Sequence, residues 1–273
     1  MTQSYMQPAA ELARLAGDNA MRFFGSALAV ESKKDGSPVT EADRSTEMLA
    51  REWIGLRFPA DGIVGEEFGS SRPDAPRQWI IDPIDGTKSF VHGVPLWGTL
   101  VAVMEGDEVL AGAAFFPAIA EMIVAGAGEG CWWNSKRCAV STVAEISAAT
   151  VLTSEARFDL SAGRYLDGWR SLSEKAAISR TWGDCYGYLL VATGRAEVMV
   201  DPVLSLWDIA PFVCIVPEAG GIMTDFDGKL GAFATSAVAT NSAIAEAARA
   251  ILKSREGGKS RENIEPSARR SAE

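Results

Sequence analysis

Histidine is nearly absent: His92 is the only one in 273 residues. That excludes a zinc site built from several imidazoles and any catalytic apparatus built on paired histidines. Cysteine is scarce too. Cys131, Cys138, Cys185 and Cys214 are too few and too scattered for a disulfide scaffold, and none forms a CxxC pair. They read as free thiols of a reducing compartment. Positive charge is in deficit: 26 Lys and Arg stand against 36 Asp and Glu, a formal charge of −10. Neutralising a phosphate backbone or an anionic lipid surface needs the opposite balance, so nucleic acid and membranes are disfavoured as partners. No stretch approaches the ~20 apolar residues of a spanning helix. The start, MTQSYMQPAAELARLAG, lacks the basic-then-apolar order of a signal peptide. A cytoplasmic protein is expected.

What is present describes a soluble globular chain, 47% hydrophobic and 23% charged. It is long enough for a sizeable core, as one large domain or two joined halves. Leu12, Leu15, Ala16, Ala20, Phe23 and Phe24 recur at helical spacing and predict a helix over 8–24. Thr40 with Asp43 three residues on has the form of a capping box. The helix behind it is predicted to turn Met48, Leu49, Trp53 and Leu56 inward and to end near Phe58 and Pro59. The period then shortens, predicting strands over 62–64, 78–81, 99–104, 109–115 and 121–125, with a hairpin loop over 128–137. A second half opens at Val151, with helices over 187–193, 207–219 and 242–253 and strands over 196–200 and 222–224. The expected division is 1–148, 149–253 and a polar, disordered tail over 254–273. Helices and strands mix without strict βαβ alternation, which predicts an α+β fold in layers.

The chemistry concentrates in Trp79-Ile80-Ile81-Asp82-Pro83-Ile84-Asp85-Gly86-Thr87. An apolar strand is predicted to end in two acids three apart. Pro83 withholds an amide and, with Gly86, forces a turn. The Ile84 carbonyl is free to act as a neutral oxygen ligand, and Gly86-Thr87 opens a segment whose amides can seat phosphate oxygens. Glu66 follows the strand at Ile63-Val64, and Asp208 stands at a predicted helix start. Oxygen donors without imidazole favour a hard cation, Mg²⁺ or Mn²⁺. The EF-hand pattern of a calcium loop is missing.

Gly65-Glu66-Glu67, the segment from Trp79 to Thr87, and Trp207-Asp208-Ile209-Ala210-Pro211 resemble the three signatures of the inositol monophosphatase family, GEE, WxxDPxDGT and WDxAx. Val39-Thr40-Glu41-Ala42-Asp43 resembles its VTxxD segment. The motifs stand in family order. The resemblance implies a layered αβαβα sandwich and Mg²⁺-dependent hydrolysis of a small phosphate monoester, with two or three ions per site and Mn²⁺ as a possible substitute. It implies one ion on Glu66, Asp82 and the Ile84 carbonyl, and a second on Asp82, Asp85 and Asp208. It implies that Thr87, paired with Asp43, and Glu66 orient and deprotonate the attacking water, and that the protein is a homodimer. The physics agrees. Phosphate monoester hydrolysis needs up to ~10²¹-fold acceleration, and a net anionic protein cannot bring a phosphate to its own carboxylates without cations between them.

Substrate choice falls to the second half. Arg180-Thr181-Trp182-Gly183-Asp184 resembles the family's RxxGxA segment but places a carboxylate, Asp184, after the glycine. Asp201 falls where the inositol enzymes carry a glutamate. Two acids beside a leaving group suit a cationic substrate better than a neutral polyol. With segments such as Gly93 to Leu100 and Gly183 to Gly187, the chain is similar to the histidinol-phosphate phosphatase branch. The expected substrate site is Asp85, Gly86, Thr87, Arg180, Asp184 and Asp201. The alternatives are an inositol monophosphatase or related sugar or nucleotide phosphatase, and a degenerate scaffold protein, whose hallmark would be a lost ligand residue.

Overall fold

The computed structural model describes residues 4–26, 30–32, 38–154 and 163–254. The tail for which disorder is expected lies outside them from residue 255 on. In chain order the elements are α1 (Met6–Met21), β1 (Glu31–Ser32), β2 (Pro38–Val39), α2 (Glu41–Arg57), β3 (Gly62–Gly65), β4 (Gly69–Ser71), β5 (Arg77–Asp85) and α3 (Thr87–Val91). A meander follows: β6 (Gly98–Glu105), β7 (Glu108–Phe116), β8 (Glu121–Gly126), β9 (Gly130–Trp133) and β10 (Lys136–Arg137). The rest is β11 (Thr150–Thr153), α4 (Gly163–Lys175), β12 (Ile178–Arg180), α5 (Cys185–Ala192), β13 (Val198–Asp201), α6 (Leu206–Glu218), β14 (Ile222–Thr224), β15 (Ala237–Thr240) and α7 (Ala245–Lys253). No helix among the described residues is long and apolar enough to cross a membrane.

Two large sheets organise the chain. The first has eight strands in the order β10-β9-β8-β7-β6-β5-β3-β4, and the second five, in the order β12-β11-β13-β15-β14. The first sheet is antiparallel except where β3 runs parallel to β5. Alternation along its strands feeds two cores. Val101, Val103, Ala111 and Ala113 pack with Leu12, Ala16, Ala50 and Ile54 of α1 and α2. Leu100, Ala114 and Phe116 face the other way, onto Leu189, Phe212 and Ile215 of α5 and α6. That middle helical layer also meets Met199 and Ala239 of the second sheet. The outer face of the second sheet buries Val151, Val198 and Val238 against Trp169, Leu172, Ala248 and Leu252 of α4 and α7. The order helix, sheet, helix, sheet, helix is the αβαβα sandwich the resemblance implies.

The predicted elements fall close to the observed ones, but the inward face of α2 differs in part: Trp53 packs against the core as predicted, whereas Met48 and Leu56 do not. Its buried positions are Ala42, Asp43, Thr46, Glu47, Ala50 and Ile54, while Met48 and Leu56 are 61% and 77% exposed. The cause is Glu47, a charged residue on the buried side. Its carboxylate accepts from Arg51 Nε at 2.7 Å and from the amides of Glu67 at 2.6 Å and Phe68 at 3.2 Å. A buried charge is tolerated when donors of this kind surround it.

Candidate active site

Strand β5 delivers the first two acids. The acids stand at its end, as the sequence predicts, although the strand is longer than the predicted 78–81. It runs on to Asp85, and its pairing with β6 becomes irregular between Asp82 and Asp85. Pro83 lies in that break, where it has no amide to give the ladder. Its carbonyl accepts from Thr99 Oγ1 at 2.8 Å instead. Asp82 Oδ1 accepts the Ile84 amide at 3.0 Å. Gly86 then reverses the chain at φ 81° and ψ 38°, a left-handed conformation that glycine adopts without steric cost, and α3 starts at Thr87.

The second half closes on this turn. Asp208 lies in the first turn of α6, where its Oδ2 accepts the Ser205 amide at 2.7 Å, the capping-box position. One oxygen from each of Asp82, Asp85 and Asp208 lies within 4.8 Å of the other two. Cys185, the first residue of α5, donates its amide to Asp85 Oδ2 at 2.6 Å. Two carboxylates of β5 and one from α6 thus meet in a partly dehydrated space, and their proton affinities reflect it. Burial, followed by the charges of Glu66, Asp85 and Asp208, pushes the Asp82 carboxyl well up. Burial, then Asp184 and Asp208, does the same to Asp85 against the opposing Cys185 hydrogen bond. Asp208 is pushed up to about 6, mainly by burial, with the Ser205 amide opposing and Glu66 adding.

Glu66 stands beside this group, not within the close trio. Its amide donates to the Ile81 carbonyl at 3.2 Å, and its charge raises Asp82, Asp208 and Asp43. The expected pairing of Thr87 with Asp43 is not made. The Thr87 hydroxyl turns back to the Ile84 carbonyl at 3.0 Å, a short local closure set up by the Gly86 turn. Asp43 closes the capping box of α2: its Oδ2 accepts the Thr40 amide at 2.8 Å and hydroxyl at 2.7 Å. Its Oδ1 is buried with no hydrogen-bond partner. Burial raises the Asp43 carboxyl, and the Thr40 bonds oppose that.

Beside the acids lies a small cavity whose lining includes Asp85, Ser154, Asp184, Tyr188, Asp201 and Asp208. Asp184 is half-buried. It occupies the N-cap position of α5, yet its side chain makes no cap hydrogen bond. Its backbone, at φ 51° and ψ −153°, is a conformation that costs a non-glycine residue about 1–3 kcal/mol. Two contacts hold it. The Asp184 amide donates to Ser154 Oγ at 2.7 Å. Gly183 lies so close to Ser154 that a Cβ on it would come within 2.3 Å of the Ser154 Cα. Burial raises the Asp184 carboxyl, and the Lys88 charge opposes this. Asp201 is pushed up to about 7 by burial. Its oxygens accept from Tyr188 Oη at 2.7 Å and from the Ser154 amide at 3.3 Å.

The predicted residues therefore divide. Asp82, Asp85 and Asp208 converge, with Glu66, Gly86 and Thr87 next to them and Asp184 and Asp201 on the adjoining wall. Arg180 does not join. It is exposed on the edge strand β12, with its Nη1 on the Ser179 carbonyl at 2.7 Å, and it is not part of the cavity lining. Sequence reasoning misses Ser154, Tyr188 and Lys88. Ser154 offers only the signal of a hydroxyl just past a strand, and Tyr188 sits in an apolar helical run that reads as core.

The inositol monophosphatase family pattern matches residues 1–259. A histidinol-phosphatase from Chlorobaculum parvum is 45% identical over 82% of this chain and 86% of its own. One from Mycobacterium tuberculosis is 38% identical over 81% and 86%. Among solved structures, an inositol monophosphatase from Zymomonas mobilis superposes with a TM-score of 0.82 at 30% identity, covering 92% of this chain and 100% of that one. These matches, on a sandwich whose acids meet in one place, make the chain a phosphatase of the inositol monophosphatase family.

Proposed function

We propose that the chain is a Mg²⁺-dependent phosphate monoester hydrolase that takes histidinol phosphate as substrate, in histidine biosynthesis, through in-line attack of an activated water. The observation that carries the reading is the convergence of Asp82, Asp85 and Asp208 within 4.8 Å. The donor set fits the ion: hard carboxylate oxygens, partly dehydrated and mutually repelling, are what a compact divalent cation satisfies. Glu66, Asp82 and the Ile84 carbonyl would hold one Mg²⁺, and Asp82, Asp85 and Asp208 a second, with Asp82 shared. A third ion, or Mn²⁺ in its place, suits the same oxygen chemistry. When bound, Mg²⁺ supplies positive charge to the phosphoryl oxygens and acidity to water.

The chain's own residues bind and orient. The amides opening α3 at Gly86 and Thr87 receive phosphate oxygens. Thr87 Oγ1 and the Glu66 carboxylate position the attacking water, and Glu66 accepts its proton. Asp43 acts from behind this pair as a buried carboxyl. Asp184 faces the leaving group and accepts from its ammonium. Asp201, whose oxygens are occupied by Tyr188 and Ser154, contributes charge to the same wall. Two relatives that carry the name histidinol-phosphatase support the substrate. The family resemblance supports a homodimer, which sedimentation analysis tests.

A phosphate-release panel decides among the readings. With Mg²⁺, kcat/KM for histidinol phosphate should exceed that for inositol 1-phosphate, fructose 1,6-bisphosphate and adenosine 3′,5′-bisphosphate by at least about tenfold, the effect of ~1.4 kcal/mol of selective contact. Equal or greater turnover of a neutral sugar phosphate would move the chain to the inositol or sugar phosphatases. No release from any of them would leave a binding or scaffold protein.

A further inference from the structure

The sequence scatters its cysteines, but the fold brings two of them together. Strands β9 and β10 are joined by the two-residue turn Asn134-Ser135, with φ of 46° and 65°. Positive φ at both central residues gives a primed hairpin turn, which fixes strand register. Trp133 stands opposite Lys136, and Trp132 opposite Arg137. One step further along, Cys131 faces Cys138. The Cys138 amide donates to the Cys131 carbonyl at 3.0 Å, and the two sulfurs are 3.5 Å apart. Directly opposed residues of such a pair have Cα atoms about 5.5 Å apart, within the span a disulfide bridges. Side-chain rotation alone can close the bond.

The two thiols are not equivalent. Cys131 is fully buried, whereas Cys138 is half-buried at the sheet edge. The hydrogen bond with Cys131 lowers the Cys138 thiol against the effect of burial, and the Arg195 charge adds to the lowering. The same hydrogen bond and burial raise Cys131. Cys138 is thus the thiol that an outside reagent meets, and Cys131 the one positioned to resolve the product. Cys185 and Cys214 are both buried. The pair is remote from the acids: the loop leading into β9 is held by Glu218, which accepts the Gly128 and Gly130 amides at 2.7 Å each. Glu218 ends α6, ten residues beyond Asp208, or about 15 Å along the helix.

We propose that Cys131 and Cys138 form an oxidisable thiol pair that closes to an intramolecular disulfide on exchange with a small-molecule disulfide such as oxidised glutathione. The Cys138 thiolate attacks one sulfur of the reagent, forming a mixed disulfide and releasing one glutathione thiolate. Cys131 gives up its proton and attacks the Cys138 sulfur, releasing the second glutathione. Two protein thiols are oxidised, one reagent disulfide is reduced to two thiols, and no other oxidant enters.

The test uses the reduced full-length chain. It is exposed to excess oxidised glutathione, quenched with iodoacetamide in denaturant, digested without reductant and analysed by mass. Cys131 and Cys138 should become linked, with loss of two hydrogens and of both alkylation sites until reductant is added. Cys185 and Cys214 should stay alkylated. In Cys131→Ser, Cys138 should accumulate as the glutathione adduct. In Cys138→Ser, Cys131 should remain alkylatable. The proposal falls if both thiols of the natural chain stay alkylated, if a glutathione adduct persists on Cys138 beside a free Cys131, or if either one links to Cys185 or Cys214.

Discussion

Two groups of acids, one buried and one only partly so, share this chain, and the fold treats them in opposite ways. Glu47 and Asp61 are each met by a cationic side chain and at least one further donor, while Glu197 stands apart from the acid trio. Glu47 takes Arg51 and two amides. Asp61 takes Trp79 Nε1 at 2.9 Å and Arg77 at 3.3 Å. Glu197 takes the Thr150 amide at 2.6 Å. Asp82, Asp85 and Asp208 each accept one main-chain amide and otherwise turn toward one another. The first group is structural: its charge is answered within the protein. The second spends stability, because like charges are held together in a dehydrated place, and such spending points to chemistry.

The contrast breaks most sharply at Asp82. Replacing it with Asn should lower phosphate release in Mg²⁺ by at least about 10²–10³-fold, the cost of losing one major electrostatic element. In chelator, the same variant should melt higher than the parent because one repelling charge is gone. Activity near the parental rate would remove the acid trio from the reaction.

The opposite response belongs to Glu47. Glu47→Gln should lower unfolding free energy in urea by about 3 kcal/mol, since it strips a buried partner from Arg51 and disturbs the Glu67 and Phe68 amides. A stability change near zero would mean that the donors around Glu47 are not what keep it buried.

A smaller effect concerns the wall of the cavity. Asp184→Thr should reduce kcat/KM for histidinol phosphate about tenfold more than for inositol 1-phosphate, measured side by side. Equal losses would reduce Asp184 to a loop residue.

The mildest effect is the pH profile of the metal-free protein. Asp208 is raised to about 6 and Asp201 to about 7, from an unfolded value near 3.9. Below about pH 4 both states are protonated, and these groups contribute no difference. As pH rises from there through 6–7, the unfolded chain gives up its protons first. Stability therefore falls across that window and stays reduced above it. Melts in chelator should drop by several degrees between pH 5 and 7.5, since each ~1 kcal/mol moves the melting temperature of a chain of this size by about 2–4 °C. The rise in melting temperature on adding Mg²⁺ should be larger at the higher pH. An upward slope in chelator would contradict the raised carboxyls.

What the sequence makes legible is what is local. The Thr40 and Asp43 cap is readable because three residues suffice to form it, and it is present. Pro83 fixes its own φ and Gly86 admits a left-handed turn whatever surrounds them, so the acid-bearing turn is readable, although the strand runs further than predicted. The inward face of α2 is not wholly so, because the amides that make Glu47 a buried residue lie about twenty positions away, past the next strand. Nor is the cavity wall, where Ser154 links Asp184 and Asp201 only after β11, α5 and β13 have packed. The failed Thr87–Asp43 pairing has the same root: each side chain has a nearer local partner.

The larger sheet terminates at one rim in β10, two residues long and made of Lys136 and Arg137, and at the other in β4, a three-residue Gly69–Ser71. Stubs this brief, one of them cationic, give an incoming strand almost nothing to dock on. The apolar strands between these two rims are therefore shielded from edge-to-edge growth by the fold's own borders.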